Sequence, residues 1–239
     1  MFKYEQISNE IRKRIKEGIY SLDEPIPDEL SLAKEFSCSR MTMKKALDIL
    51  VMEGLLYRKR GHGTFIVKPA AQHDLVNVTS EENLGLTNLL KGKKITSHII
   101  QFEVSFPSEE VAAQLAIDLT TPVYHLIRLR IVENEPYVIE RTYMPTPLIR
   151  DLNEEVLHSS IYNHITNTLG LTIAGCHRKI RASKPTELDQ KYLHCAPDDP
   201  ILEVEQVGFL NNGVPFEYSF SRHRYDKFVF TTVSIRRSK

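Results

Sequence analysis

Apolar residues recur along this chain with two different periods, and the change of period divides it. Tyr4, Ile7, Ile11 and Ile15 fall three and four residues apart, the spacing that lines one face of a helix over 4–17, ended at Gly18. Asp28, after Pro27, is placed to cap a short second helix with Leu32, Ala33 and Phe36 as its apolar stripe. Ser37-Cys38-Ser39 breaks the pattern. Ser39 then caps a third helix in which Met43, Ala46, Leu47 and Leu50 share a face, and Gly54 ends it. Residues 55–60 and 64–67 read as two strands joined across Gly61-His62-Gly63, a β-wing. Lys68 to Asp74 carries neither period and reads as a linker.

Beyond residue 75 strands and short helices alternate. The pattern predicts a strand over 95–104, a helix over 108–115 capped by Ser108, and an antiparallel hairpin of 123–132 with 137–144. A helix over 160–169 closed by Gly170, a strand over 173–182 and a helix over 186–193 follow. A second hairpin pairs 201–210 with 214–224 around Asn211-Asn212-Gly213, a strong turn signal. Adjacent hairpins need no parallel crossover, so the second half is expected to be a mainly antiparallel sheet with helices packed on one side. The fold class is α+β, with domains at 1–68 and 75–239 and a linker at 69–74.

Length and composition add limits. The 239 residues suffice for two modest domains, and no run approaches the ~18 apolar residues of a membrane span. Met1-Phe2-Lys3-Tyr4-Glu5 lacks the apolar core of a signal peptide. Three widely spaced cysteines, Cys38, Cys176 and Cys195, fit a reduced cytoplasm rather than a disulfide framework or a zinc site. No metal and no cofactor is expected.

Charge is more informative by segment. The whole chain balances 31 Lys and Arg against 31 Asp and Glu, but residues 1–70 hold 13 against 10. Arg40, Lys44, Lys45, Arg58, Lys59 and Arg60 concentrate that excess on the third helix and the wing, where phosphate contacts would be made. Arg58-Lys59-Arg60 taken alone fits a solvated strand end equally well. Two helices across a short turn, the second cationic in its N-terminal half, match a helix-turn-helix whose second helix enters the major groove.

The ordered residues Pro27, Glu29, Ser39, Arg40, Thr42, Ala46, Leu47, Glu53, Gly54, Gly61, Gly63, Thr64 and Phe65 closely resemble the winged helix of GntR-family transcription regulators. Lys44 stands where that family usually has arginine, and lysine lacks the fork that bonds guanine bidentately. Arg128-Leu129-Arg130, Glu140, Ser160-Ile161-Tyr162 and the run Ser221 to Phe228 resemble the UTRA domain of the HutC subfamily, related in fold to chorismate lyase. The two resemblances cover nearly the whole chain. They imply a regulator with a DNA-binding head and an effector-binding, dimerising body.

On that basis Arg40, Thr42, Lys44, Lys45, Arg60, Gly61, His62 and Gly63 are the expected DNA-binding residues. The operator would be palindromic, as suits a homodimer. The resemblance implies an effector pocket lined by Arg128, Arg130, Glu140, Ser160 and Tyr162, with Thr87 and His223 as looser matches. Strand alternation sets Arg128 and Arg130 on one face. A three-residue loop, Asn134-Glu135-Pro136, would put Arg130 opposite Glu140 and Arg128 opposite Thr142. Two arginines beside a carboxylate suit a small anionic metabolite that also carries hydroxyls or an amine, such as a phosphorylated sugar. A plain cross-strand ion pair and a core tyrosine fit the same residues.

The expected function is a sequence-specific transcription regulator, a repressor of a carbohydrate or other catabolic operon released by that metabolite. A chorismate-lyase-like enzyme and a DNA binder without effector are the rivals. The sequence offers neither a spaced acid–base pair nor a nucleophile with an orienting partner, so no catalytic residue is assigned.

Overall fold

The first 66 residues fold around the helical stripes just described. A computed structural model describes residues 2–68, 77, 78, 86, 90 and 92–230. It divides into two compact units, and of the described residues 2–68 belong to the first and 77–230 to the second. The expected linker, 69–74, and Thr87 lie outside the described residues.

The first unit holds helices α1 (Lys3–Lys16), α2 (Glu29–Glu35) and α3 (Arg40–Met52), and α2 and α3 are capped as the sequence predicts. Asp28 accepts from the backbone N–H of Leu30 and Ser31 at 2.9 and 2.8 Å, and Ser39 Oγ from that of Thr42 at 3.1 Å. Ile7, Ile11, Leu32, Met43, Leu47 and Leu50 are buried together. Each such side chain contributes ~1.5–3 kcal/mol, so this small core carries the unit. Strands β1 (Leu56–Lys59) and β2 (Gly63–Ile66) pair antiparallel, and Leu56 and Ile66, opposite each other, join the core. Gly63 has φ +110°, and a Cβ there would lie 3.0 Å from Pro25 Cβ. Glycine is required at that corner of the wing.

The second unit holds a two-residue parallel pair, β3 (Asn77–Val78) with β10 (Val229–Phe230), and a six-stranded antiparallel sheet. Its strands are β4 (Ile95–Ser105), β5 (Val123–Val132), β6 (Glu135–Pro145), β7 (Ile173–Ser183), β8 (Ile201–Leu210) and β9 (Pro215–Arg224). They run in the order β4-β5-β6-β9-β8-β7. The helices are α4 (Glu109–Leu115), α5 (Glu154–His158), α6 (Ile161–Asn163) and α7 (Glu187–Leu193).

Three expectations need correction. Helices cover both faces of the sheet, not one. Val111 and Leu115 of α4 pack with Val123 and Tyr218, and Leu193 of α7 packs with Ile127, Leu129 and Ile139. Leu157, Ile161 and Ile165 pack with Leu126 and Met144 on the opposite face. The interior strand β5 is buried or half-buried on both faces, so a single layer would leave one face wet. The helix expected over 160–169 is a single α-turn continued by a π-turn, His164–Thr168.

The hairpin register also differs. Glu133 and Asn134 both have positive φ (51° and 67°), which makes a two-residue turn rather than the three-residue loop. An irregularity between Arg130 and Ile131 absorbs the extra residue, Tyr137. Arg128 therefore faces Glu140, and Arg130 faces Val138.

Candidate functional site

The strand order builds a cavity from two hairpins far apart in sequence. Because β9 pairs with β6, alternate residues of β5, β6, β9, β8 and β7 share one face. Arg128 and Arg130 stand on β5, Glu140 and Thr142 on β6, and Glu217, Ser219, Ser221 and His223 on β9, with Gln206 and Arg178 beyond. These line a cavity of about 130 Å³ together with Ser160, Ile161 and Tyr162 from the α6 end and apolar Leu86, Phe228 and Phe230. Known dry cavities of similar size hold small molecules, and this one combines apolar walls with a polar floor.

Its charges are buried and only partly balanced. Arg128 and Arg130 are 5% and 4% exposed. Glu140 Oε2 lies 2.9 Å from Arg128 Nη2 and 3.8 Å from Arg130 Nη1, and Arg128 Nη1 also donates to the Leu157 carbonyl at 2.9 Å. One carboxylate serves two guanidinium groups. Burial alone would raise the Glu140 carboxyl, but Arg128 and Arg130 outweigh it and hold it below the ordinary range. Burial lowers the Arg128 guanidinium, Glu140 opposes that, and Arg130 adds to the lowering.

The far side is a hydrogen-bonded chain. Arg178 Nε donates to Gln206 Oε1 at 2.7 Å. Gln206 Nε2 donates to the Tyr162 hydroxyl at 3.1 Å and to Glu217 Oε1 at 3.3 Å, and Ser219 Oγ also donates to Glu217. Burial pushes the Glu217 carboxyl up, and burial followed by Glu217 pushes the Tyr162 hydroxyl up. His223 stacks on Phe228 with ring centres 4.0 Å apart, and burial lowers its pKa to about 3, so it is neutral. Phe216 closes over Gly208, where a Cβ would lie 2.8 Å from its ring, and meets Tyr162 edge-on at 5.9 Å. That contact fixes the tyrosine over the cavity.

Of the residues expected in a pocket, Arg128, Arg130, Glu140, Ser160, Tyr162 and His223 line this cavity together. Ser160 Oγ accepts from the Asn163 N–H at 3.2 Å as a helix cap. Arg178, Gln206, Glu217, Ser219 and Ser221 were not anticipated. The alternation of Glu217, Ser219, Ser221 and His223 was the available signal, since it sets four polar residues on one face of a predicted strand.

On the first unit, Arg40, Lys44 and Lys45 are exposed on the N-terminal half of α3, and Met41 beside them is 72% exposed. Thr42 is half-buried, its hydroxyl 2.8 Å from Ser39 Oγ. Lys45 Nζ sits 3.8 Å above the Tyr4 ring, so it also braces α1 against α3. Arg40 Nε reaches Glu29 at 3.4 Å, a loose and exposed contact. Arg58 pairs with Asp48 and Glu29 and is thereby drawn into the unit's own charge pairs. Arg60, Gly61, His62 and Gly63 form the exposed wing tip, with His62 Nδ1 2.9 Å from the Arg60 carbonyl. Among the described residues no His, Cys, Asp and Glu cluster is placed to hold a metal, and no helix is long and apolar enough to cross a membrane.

Comparison with known proteins matches residues 3–66 to the bacterial regulatory proteins of the gntR family and residues 90–229 to the UTRA domain. The chain is 69% identical over 237 residues to the HTH-type transcriptional regulator GmuR of Bacillus subtilis, covering 99% of this chain and 100% of that protein. It is 30% identical to the mannosyl-D-glycerate transport/metabolism system repressor MngR of Escherichia coli, covering 98% and 97%. The crystal structure of the possible transcriptional regulator YydK from Bacillus subtilis superposes with a TM-score of 0.80 at 27% identity, covering 98% of this chain and 100% of that one. These matches are to transcription regulators rather than enzymes.

Proposed function

The chain belongs to the GntR family of transcription regulators, with a UTRA domain after its helix-turn-helix, and from that premise we propose that it is a repressor released by a small anionic sugar derivative. A sugar phosphate is the first candidate. The observation that carries this reading is the pair of buried guanidinium groups, Arg128 and Arg130, side by side in the cavity with Glu140 beside them. Two adjacent guanidinium groups suit an oxyanion, which can take bidentate hydrogen bonds from them. Thr142, Ser219, Ser221 and Tyr162 add hydroxyls suited to a polyol. The relative MngR is named for mannosyl-D-glycerate, itself an anionic sugar derivative.

In this reading residues 1–68 bind DNA, residues 75–239 bind effector and dimerise, and 69–74 link them. Arg40 and Lys44 approach base edges or phosphates in the major groove, Thr42 a thymine methyl or phosphate, Lys45 and Arg60 the backbone, and Gly61, His62 and Gly63 the minor groove. A homodimer presents two such heads to a palindrome in the cytoplasm. Arg128, Arg130, Glu140, Ser160, Tyr162 and His223 contact the effector, and Thr87 belongs to the same set by resemblance.

The test is operator release. With an operator selected from random DNA, glucose 6-phosphate or a related hexose phosphate lowers the affinity of the full chain, and Arg130→Ala removes the response but not DNA binding. Coupling is reciprocal, so operator DNA lowers effector affinity by the same factor. An operator affinity unchanged across a panel of sugar phosphates and sugar acids would refute the proposal.

A further inference from the structure

The stripe Met43, Ala46, Leu47 and Leu50 anchors α3 in the core of the first unit, and so fixes which residue points straight away from that core. At about 3.6 residues per turn, successive side chains are about 100° apart, which sets Met41 about 170° from the middle of the stripe. Met41 is 72% exposed, although it is apolar and sits in the first turn of the helix. Lys44 lies about 60° to one side of it and Lys45 about 40° to the other, with Arg40 beyond Lys44. All three cations are exposed. The outward face of the N-terminal half of α3 is therefore an apolar crest between two cationic shoulders.

A single exposed methionine is ordinary, but this one is ringed by charge. An apolar protein surface that reached it would have to desolvate Lys44 and Lys45. The major groove makes no such demand. Its walls are phosphates, and its floor carries one apolar group, the C5 methyl of thymine. The groove is about 12 Å wide and a helix with its side chains about 10–12 Å across, so a residue on the crest meets the floor and those on the shoulders meet the walls. Thr42 is turned about 100° from the crest. It is half-buried, with its hydroxyl 2.8 Å from Ser39 Oγ, which suits it to a wall. Further along the helix the face changes. Asp48 and Met52 continue the row that Met41 begins, and Asp48 pairs with Arg58 of β1. A carboxylate there opposes phosphate, which confines the approach to the first two turns of α3, where Met41 is the exposed apolar residue.

We propose that Met41 is a specificity-determining residue that reads thymine, its thioether and terminal methyl packing on the C5 methyl of one thymine in each operator half-site. The proposal rests on the DNA-binding reading above and adds a base preference that the surrounding cations do not supply. Guanidinium and ammonium groups donate to phosphate and to guanine, and offer a methyl group nothing. An unbranched, polarizable side chain adapts to the shape of a methyl without demanding one geometry.

The test is competition binding of the full chain to an operator selected from random DNA, with each thymine replaced in turn by deoxyuridine, which removes only the C5 methyl. Wild type is compared with Met41→Ala and Met41→Leu. One buried methyl converts to about fourfold in affinity, so wild type loses about fourfold per half-site at one thymine position. Met41→Ala binds the thymine and deoxyuridine operators within about 1.5-fold of each other at that position and keeps the wild-type response at every other thymine, which isolates the pairwise contact. Met41→Leu, apolar and of similar volume, keeps at least an about twofold preference for thymine. Amide exchange of α3 in Met41→Ala matches wild type, which separates lost readout from a lost fold. A wild type indifferent to deoxyuridine at every position, or a Met41→Ala variant that loses the same factor at the same thymine as wild type, overturns the proposal. A wild type that prefers no sequence over random DNA overturns the DNA-binding reading as well, and is told apart by the absence of a selected operator.

Discussion

Replacing Glu140 by glutamine isolates the charge balance on which the site depends. Its carboxylate is 2.9 Å from Arg128 and 3.8 Å from Arg130, with side-chain exposures of 18%, 7% and 5% for Glu140, Arg128 and Arg130. At an effective dielectric of ~20, a unit pair near 4 Å is worth about 4 kcal/mol, and Glu140 makes two. Desolvation of the carboxylate cancels several kcal/mol of this. Removing the charge takes the nearest carboxylate from two adjacent buried guanidinium groups, and the expected cost is about 3 kcal/mol. At tenfold per 1.4 kcal/mol, this speeds amide exchange at neutral pH on the order of 100-fold where exchange follows opening of the C-terminal unit. Hydrogen-exchange mass spectrometry reads it on peptides within 123–145, with peptides of α1 and α3 in the first unit as internal controls. Sulfate or phosphate should restore more protection in Glu140→Gln than in wild type, because the anion supplies the missing charge. Exchange within twofold of wild type would refute the reasoning and reduce Glu140 to a marginal cross-strand pair.

Burial holds the His223 pKa down at about 3 in the fold, against 6.5 for an ordinary histidine. The unfolded chain therefore binds the extra proton between those values, so this contribution is complete above pH 6.5 and is lost as pH falls toward 3. At pH 5 the loss is ~2 kcal/mol, and His223→Gln should flatten the stability profile by that amount between pH 6.5 and 5 in denaturant titrations. Gly63→Ala forces φ +110° on a residue with a Cβ and presses Pro25. It should destabilise the wing by ~1–3 kcal/mol, seen as faster exchange over 56–66 and weaker operator binding with α3 unaffected. Lys45→Ala removes the contact over Tyr4 and should cost ~0.5–1 kcal/mol of stability in the first unit. Lys44→Ala should leave stability unchanged and, if Lys44 meets a phosphate, lower the salt slope of DNA binding by ~1.

The first unit was almost entirely legible because its determinants are local. Asp28 and Ser39 begin their helices through bonds to N–H groups two or three residues away, and the stripe Met43, Ala46, Leu47 and Leu50 is the face that is buried. The register of the first hairpin was not legible. It depends on Glu133 and Asn134 adopting positive φ, which no glycine announces, and on the irregularity at Tyr137; turn and irregularity together displace the pairing by two residues. The face assignment survived, because a shift of two residues preserves which side of the strand Arg128 and Arg130 occupy.

The site itself divides along the same line. Arg128, Arg130 and Glu140 belong to one hairpin, so strand alternation alone sets them together. Arg178, Gln206 and Glu217 reach the same cavity only because β9 of the second hairpin pairs with β6 of the first, Thr142 opposite Ser219. No local period encodes that pairing. It follows from which hairpin edges bury best against each other, a property of the whole sheet. What the sequence does carry is an inconsistency: an interior strand with Glu217, Ser219, Ser221 and His223 on one face lacks the apolar set its burial would require. Four polar residues in register on an inward face are costly unless they face one another or a ligand, so the cost itself marks the face on which the cavity opens.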